Sequence, residues 1–164
     1  MDMFQIILIL ATLFCSLIAG FVLAFAIVVM PGIRSLNDHD FLQAFKVIDG
    51  VIQNNQPIFV LLWLGSILGL VTAALVAIVQ IDGFNRLLIV IAAAIYLLGV
   101  QLPTFTINVP FNNQLQLQQL DAMSDLALRE ARMNFEACWI RWNAFRTVCA
   151  TLTSALLIIV VFEL

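Results

Sequence analysis

Charge is what this chain has least of. Its ten acidic and seven basic residues make up 10% of 164 positions, against about 25% in an ordinary soluble domain, too few to clothe a surface that faces water. The bases form no run that would follow a phosphate backbone and the formal charge is −3, which sets nucleic acid aside as a partner. Histidine occurs once, as His39, which excludes a bis-histidine haem and a multi-histidine metal centre. The three cysteines, Cys15, Cys138 and Cys149, include no close pair and no CxxC spacing. Neither a disulfide framework nor a zinc site is indicated, and they read as small apolar packers. Nor is there a glycine-rich nucleotide loop, so no metal and no cofactor is expected.

What the chain has instead is apolar length. Hydrophobic residues make up 63% and mean hydropathy is +1.09, so the excess apolar surface needs lipid as its solvent. Four runs, about 3–30, 57–81, 84–107 and 139–162, each reach the roughly 20 residues that cross a hydrocarbon core. They predict an all-α integral membrane four-helix bundle, one membrane domain over 1–164. The first run has no basic region before it and exceeds the usual signal-peptide core, so it is expected to stay as a membrane helix. Ile81-Asp82-Gly83-Phe84-Asn85-Arg86 reads as a tight turn joining the second and third runs. Between the runs lie two polar segments, 31–56 and 108–138, both helical and amphipathic by spacing. In the first, Phe41, Leu42, Phe45, Ile48, Val51 and Ile52 form a stripe beside Asp38, Asp40, Lys46 and Asp49. Such segments lie on the membrane surface or cap the bundle.

Met30-Pro31-Gly32 and Val109-Pro110-Phe111 are expected to end the first and third helices, and each precedes an amphipathic segment and a further membrane helix. This echo suggests a duplicated two-helix unit in parallel orientation. Arg34, Lys46, Arg129, Arg132 and Arg141 fall on the side of the long segments and only Arg86 on the other. That bias places the long segments in the cytoplasm and both termini opposite.

Polar residues inside the runs are the candidates for chemistry. Trp139, Trp142, Asn143 and Arg146 recur at helical spacing and are expected along one face, pointing into the bundle because Asn and Arg are costly against lipid; snorkelling of Arg146 to the headgroups is the plainer alternative. Thr104, Thr106, Asn108, Asn112 and Asn113 bring hydroxyls and amides to a similar depth, where they are equally suited to capping a helix broken at Pro110. The first segment offers Arg34, Asn37, Asp38, His39, Asp49, Asn54 and Asn55.

Met30-Pro31-Gly32-Ile33-Arg34-Ser35-Leu36, Ile48-Asp49-Gly50-Val51-Ile52-Gln53-Asn54 before Pro57-Ile58-Phe59, Asn108-Val109-Pro110-Phe111-Asn112-Asn113-Gln114-Leu115, and Trp139-Ile140-Arg141-Trp142-Asn143-Ala144-Phe145-Arg146-Thr147 together resemble the anthrone oxygenase-like family of small four-helix membrane proteins. The resemblance spans nearly the whole chain and implies the same fold. It departs from the pattern where many relatives carry His at the position of Ala144 and an aromatic pair at those of Arg132 and Phe135. The activity it implies is oxidation of an apolar polycyclic anthrone by dioxygen; with neither a metal-ligand cluster nor a nucleotide loop in the sequence, that oxidation is expected to need no metal or flavin. In that reading Arg146, Asn143, Asn108 and Asn112 hold the oxyanion, and Trp139 and Trp142 stack on the ring. Asp49 or His39 is the base, and Arg34 and Asn54 add to substrate binding.

Two other classes stay open. One is a non-catalytic subunit or assembly factor of a larger membrane complex, for which Gly65 and Gly69 on the second helix supply an association surface; a homo-oligomer is also open and would weigh against it. The other is a carrier of a lipophilic molecule such as quinone or haem, with His39 the only residue able to ligate haem iron.

Overall fold

The computed structural model describes residues 2–164. Asp2 caps the first helix reciprocally, accepting the Gln5 N–H at 2.7 Å while Gln5 Oε1 accepts the Asp2 N–H at 3.1 Å. Helix α1 then runs Met3–Ile33. Asn37 caps α2, Asp38–Gln53, by accepting from the Asp40 N–H at 2.9 Å. Asn55, in the left-handed region at φ 58, turns the chain into α3, Pro57–Gln80, and Pro57 sits where its missing N–H costs nothing. A tight turn with Gly83 at φ 76 leads into α4, Phe84–Gln116. A short 3₁₀ turn at Leu120–Ala122 and a Ser124 cap precede α5, Asp125–Glu163. No strand occurs among the described residues. Helices α1, α3, α4 and α5 are long and apolar enough to cross a membrane, and their outer faces present Leu61, Leu68, Leu75, Leu98 and Val148. The chain is a multi-pass membrane helical bundle.

Three helix bounds differ from those read off the sequence, two of them for one physical reason. Pro31 and Pro110 were expected to stop their helices, yet α1 continues to Ile33 and α4 to Gln116. Ahead of each proline the ladder widens by one residue: the Met30 N–H bonds five residues back to Phe25 and the Val109 N–H to Thr104. Pro103 is preceded in the same way, Leu102 bonding to Leu97. The extra residue makes room for a ring that otherwise clashes with the preceding turn. On the other side of the loop, α5 begins at Asp125 and not near 139. The second amphipathic segment is therefore not a separate surface helix; it extends α4 and α5 beyond the apolar runs. A wide turn followed by proline thus occurs in α1 and in α4.

Inside the bundle α1 packs on α3 and α5, and α4 on α5. A Cβ at Gly65 would lie 2.8 Å from the Phe14 ring, and one at Gly69 3.3 Å from the Ala11 backbone. The glycine surface expected to serve association with partners is thus spent on α1 within the chain. Gly99 brings α4 equally close to α5, where a Cβ would meet Cys149 Sγ at 2.6 Å.

A second core lies between α2 and the extensions of α4 and α5. Phe41, Leu42 and Phe45 of α2 are fully buried there with Leu115, Leu120, Leu128, Phe135 and Trp139. Arg132 fastens the α1–α2 connection to α5: it donates to the Arg34 and Leu36 carbonyls at 2.8 Å each, to Asp38 at 3.1 Å and to Glu136 at 2.9 Å, and lies over the Phe41 ring. His39 joins the start of α2 to the 3₁₀ turn through Asp121 at 2.9 Å. Of the two alternatives for the first segment, capping the bundle is the one observed.

Candidate functional site

Under the α2 cap the bundle holds a partly open cavity of about 410 Å³. Its upper wall is aromatic. Phe45 meets Trp139 edge to face at 5.2 Å, Phe25 meets Trp139 at 5.6 Å, and Phe21 touches both Phe25 and Phe59 at 5.1 Å. Helices α3 and α4 pack near their shared turn and part toward 101–116. Trp63 spans that gap, with its ring 5.3 Å from Phe105 and its Nε1 donating to Gln101 Oε1 at 3.0 Å. The wall also takes in Phe105 and Val109, exposed outward on α4, and Asn55 and Asn113 at its polar end.

The polar groups on this wall form two networks. Arg146 is buried in the middle of α5, and its guanidinium donates to Thr104 Oγ1 at 2.9 Å and to Asn143 Oδ1 at 3.0 Å. Asn143 in turn donates to the Val22 carbonyl at 3.1 Å, just before the wide turn of α1. The second network centres on Asp49. Its carboxylate accepts from Asn112 and Gln53 at 2.7 Å each and from Gln116 at 2.9 Å, while Asn112 Oδ1 accepts the Trp139 indole N–H at 3.0 Å. Four buried atoms on the wall have no hydrogen-bond partner: Arg146 Nε, both side-chain polar atoms of Asn108, and Gln101 Nε2. Buried polar atoms are rarely left so in a folded protein, and each such orphan invites a ligand or an ordered water. Among the described residues no three of His, Cys, Asp and Glu converge.

Of the residues singled out from the sequence, Trp139, Asn143, Arg146, Asn108, Asn112 and Asp49 come together around this cavity. Arg146 does not snorkel; only 7% of its surface is exposed. Asp49 was expected on the polar side of α2 and lies on its buried face, because three amides satisfy it. The other four stand elsewhere. Trp142 pairs with Phe145 at 5.7 Å, outside the cavity lining. His39 sits between Asp40 and Asp121 at the start of α2, Arg34 points outward to Glu136 at 3.2 Å, and Asn54 is exposed where α2 ends. Two wall residues, Trp63 and Gln101, were not anticipated. The signal for Gln101 was present: an amide inside the apolar stretch Leu97-Leu98-Gly99-Val100-Gln101-Leu102 is expensive in a membrane helix unless it is used.

The anthrone oxygenase family matches over residues 53–156, well over half of the chain. The chain belongs to the anthrone oxygenase family. No curated protein and no solved structure matches it. The matched stretch carries the anthrone oxygenase-like side of the cavity, from Trp63 and Gln101 through Asn108 and Asn112 to Trp139, Asn143 and Arg146. Asp49 and Val22, which complete both networks, lie before it.

Proposed function

We propose that this anthrone oxygenase family member oxidises an apolar, ring-fused aromatic ketone with dioxygen, turning a ring CH₂ activated by the carbonyl into a second carbonyl and releasing water. The observation that carries the proposal is the buried guanidinium of Arg146, with an N–H free, facing an aromatic-walled cavity. Its volume falls within the roughly 300–1,000 Å³ typical of small-molecule sites. Removal of a proton from the CH₂ leaves an extended enolate. The free N–H of Arg146 and the Asn108 amide hold its oxygen, and fixed donors in a dry site act most strongly on a charge that develops during reaction. The enolate passes an electron to dioxygen, the resulting carbon radical and superoxide combine as a peroxide at the same carbon, the proton held by Asp49 returns to give the hydroperoxide, and loss of water gives the carbonyl. Asp49 takes the first proton. It is the only acid on the wall among the described residues, and its Oδ1 accepts a single hydrogen bond, leaving a lone pair available. Asn143 and Asn112 act through others: one orients Arg146, the other orients Trp139 and Asp49. The substrate enters from the bilayer through the parting of α3 and α4, and the α2 side faces the cytoplasm.

Purified protein in detergent, given anthrone under oxygen, is expected to form the quinone faster than buffer does. Arg146→Met or Asn108→Leu should lower that rate by about 100-fold, while Trp142→Phe leaves it unchanged. Quinone formation by wild type no faster than in buffer would end the catalytic reading; saturable binding without turnover would then favour a carrier.

A further inference from the structure

A carboxylate that takes a proton from a bound ring must keep one oxygen turned toward it, and a side chain as short as that of Asp49 is free to rotate unless it is held. Asp49 is 4% exposed and takes part in no ion pair among the described residues, so neutral amides set its orientation. Oδ2 is held from two helices, by Gln53 Nε2 one turn along α2 at 2.7 Å and by Gln116 Nε2 of α4 at 2.9 Å. Oδ1 receives only Asn112 Nδ2, at 2.7 Å. The orientation of the Gln116 amide follows from its partners. Its NH₂ serves both Asp49 and the Lys46 carbonyl, the latter at 3.0 Å, and an ionised carboxylate and a carbonyl can only accept. Gln53 and Asn112 line the cavity, whereas Gln116 does not. Gln116 is the last residue of α4, one turn beyond Asn112 on the same face. It reaches α2 only because the wide turn before Pro110 lets the helix run on.

We infer that Gln116 is a positioning residue: it pins Asp49 Oδ2 from outside the cavity, so that Oδ1 is the oxygen presented to the CH₂ of the ligand. This rests on the proposed function, which makes Asp49 the base. A purely structural role for Gln116 would be to staple α2 to α4. A separate bond makes the same connection without touching Asp49, Lys46 Nζ donating to the Gln118 carbonyl at 2.6 Å, and its removal reports what a loosened cap alone does.

Proton removal can be read without the oxygen step, as exchange of the anthrone CH₂ hydrogens for deuterium in D₂O under argon. Wild type is expected to exchange them faster than buffer does. Gln116→Met should do so about tenfold more slowly, because a displaced base loses part of the roughly 100- to 10,000-fold that general base catalysis supplies. Anthrone affinity, read from quenching of Trp63 and Trp139 in a Trp142→Phe background, should stay within about twofold, since Gln116 touches no ligand. Lys46→Met should leave the exchange rate unchanged. Added to Asp49→Asn, Gln116→Met should slow exchange no further, because it acts only through the carboxylate. Wild-type exchange no faster than buffer, an unaltered rate in Gln116→Met, an equal loss in Lys46→Met, a parallel loss of affinity, or full additivity with Asp49→Asn would each overturn the inference. The expected exchange pattern with no quinone formed under oxygen would sink the oxygenase reading alone; equal quinone formation by wild type and Gln116→Met would sink this inference and leave that reading standing.

Discussion

At the scale of residues, the site is decided by which polar side chains find partners. Spacing alone was enough to turn Trp139, Asn143 and Arg146 to one face, since steps of four and three keep side chains on one side of a helix. It misplaced Trp142, which follows Trp139 by three and lies at the edge of that face, where Phe145 takes it up. The Trp63–Gln101 bond joins residues on different helices, so no periodicity could reveal it. His39 shows the reverse case, a residue whose chemistry looked useful and whose place is structural. Hydrogen bonds that the protonated ring donates to Asp40 and then Asp121 raise its pKa above the ordinary 6.5, and the contact with Asp40 lowers that of Asp40. A histidine whose folded value is raised contributes stability in full below the unfolded value, and that contribution is lost as pH rises through the folded one. The junction of α2 with the 3₁₀ turn is thus expected to loosen as pH climbs above about 6.5. Protease cleavage near Asp121 should increase over that window, and His39→Gln should remove the pH dependence; cleavage indifferent to pH in wild type would refute it.

At the scale of elements, the existence of the membrane helices was legible in the sequence and their ends were not. Apolar runs locate the spans because lipid selects for them, whereas Pro31 and Pro110 read as stops only if the helix before them is regular. A wide turn just ahead of each proline removes the clash, and nothing in the residue types before Pro31 or Pro110 announces such a turn. Where helices touch, small residues set the distance. The Gly99 contact with Cys149 leaves no room for a methyl group, so Gly99→Ala should destabilise the bundle by about 1–3 kcal/mol, read as a lower midpoint of thermal unfolding in detergent. Cys149→Ala in the same chain should restore only part of the loss, because Cys149 Cβ is itself 2.9 Å from the added carbon. Full restoration, or no loss at all, would mean that α4 and α5 separate easily.

At the scale of the whole molecule, the cavity is displaced toward one side. At 1.5 Å per residue, Trp63, Gln101 and Arg146 each lie about 26 Å from the ends of their helices on the 81–83 side, close to the far edge of a hydrocarbon core about 30 Å thick. A cap at that boundary needs polar anchors above it, which Arg132 of α5 and His39 of α2 supply. If the α2 side is cytoplasmic, a cysteine placed at exposed Ser35 in a chain freed of its native thiols should escape a membrane-impermeant maleimide in intact cells, and one at Asp82 should react. The opposite labelling would invert the orientation. The wide turns bear on this lopsidedness too. α4 places two of them and two prolines within 97–110, beside the cavity, whereas α3 runs unbroken at the same depth. Its backbone amides there should take up deuterium sooner than those of α3, so the stretch lining the cavity is also where the solvent first reaches the main chain.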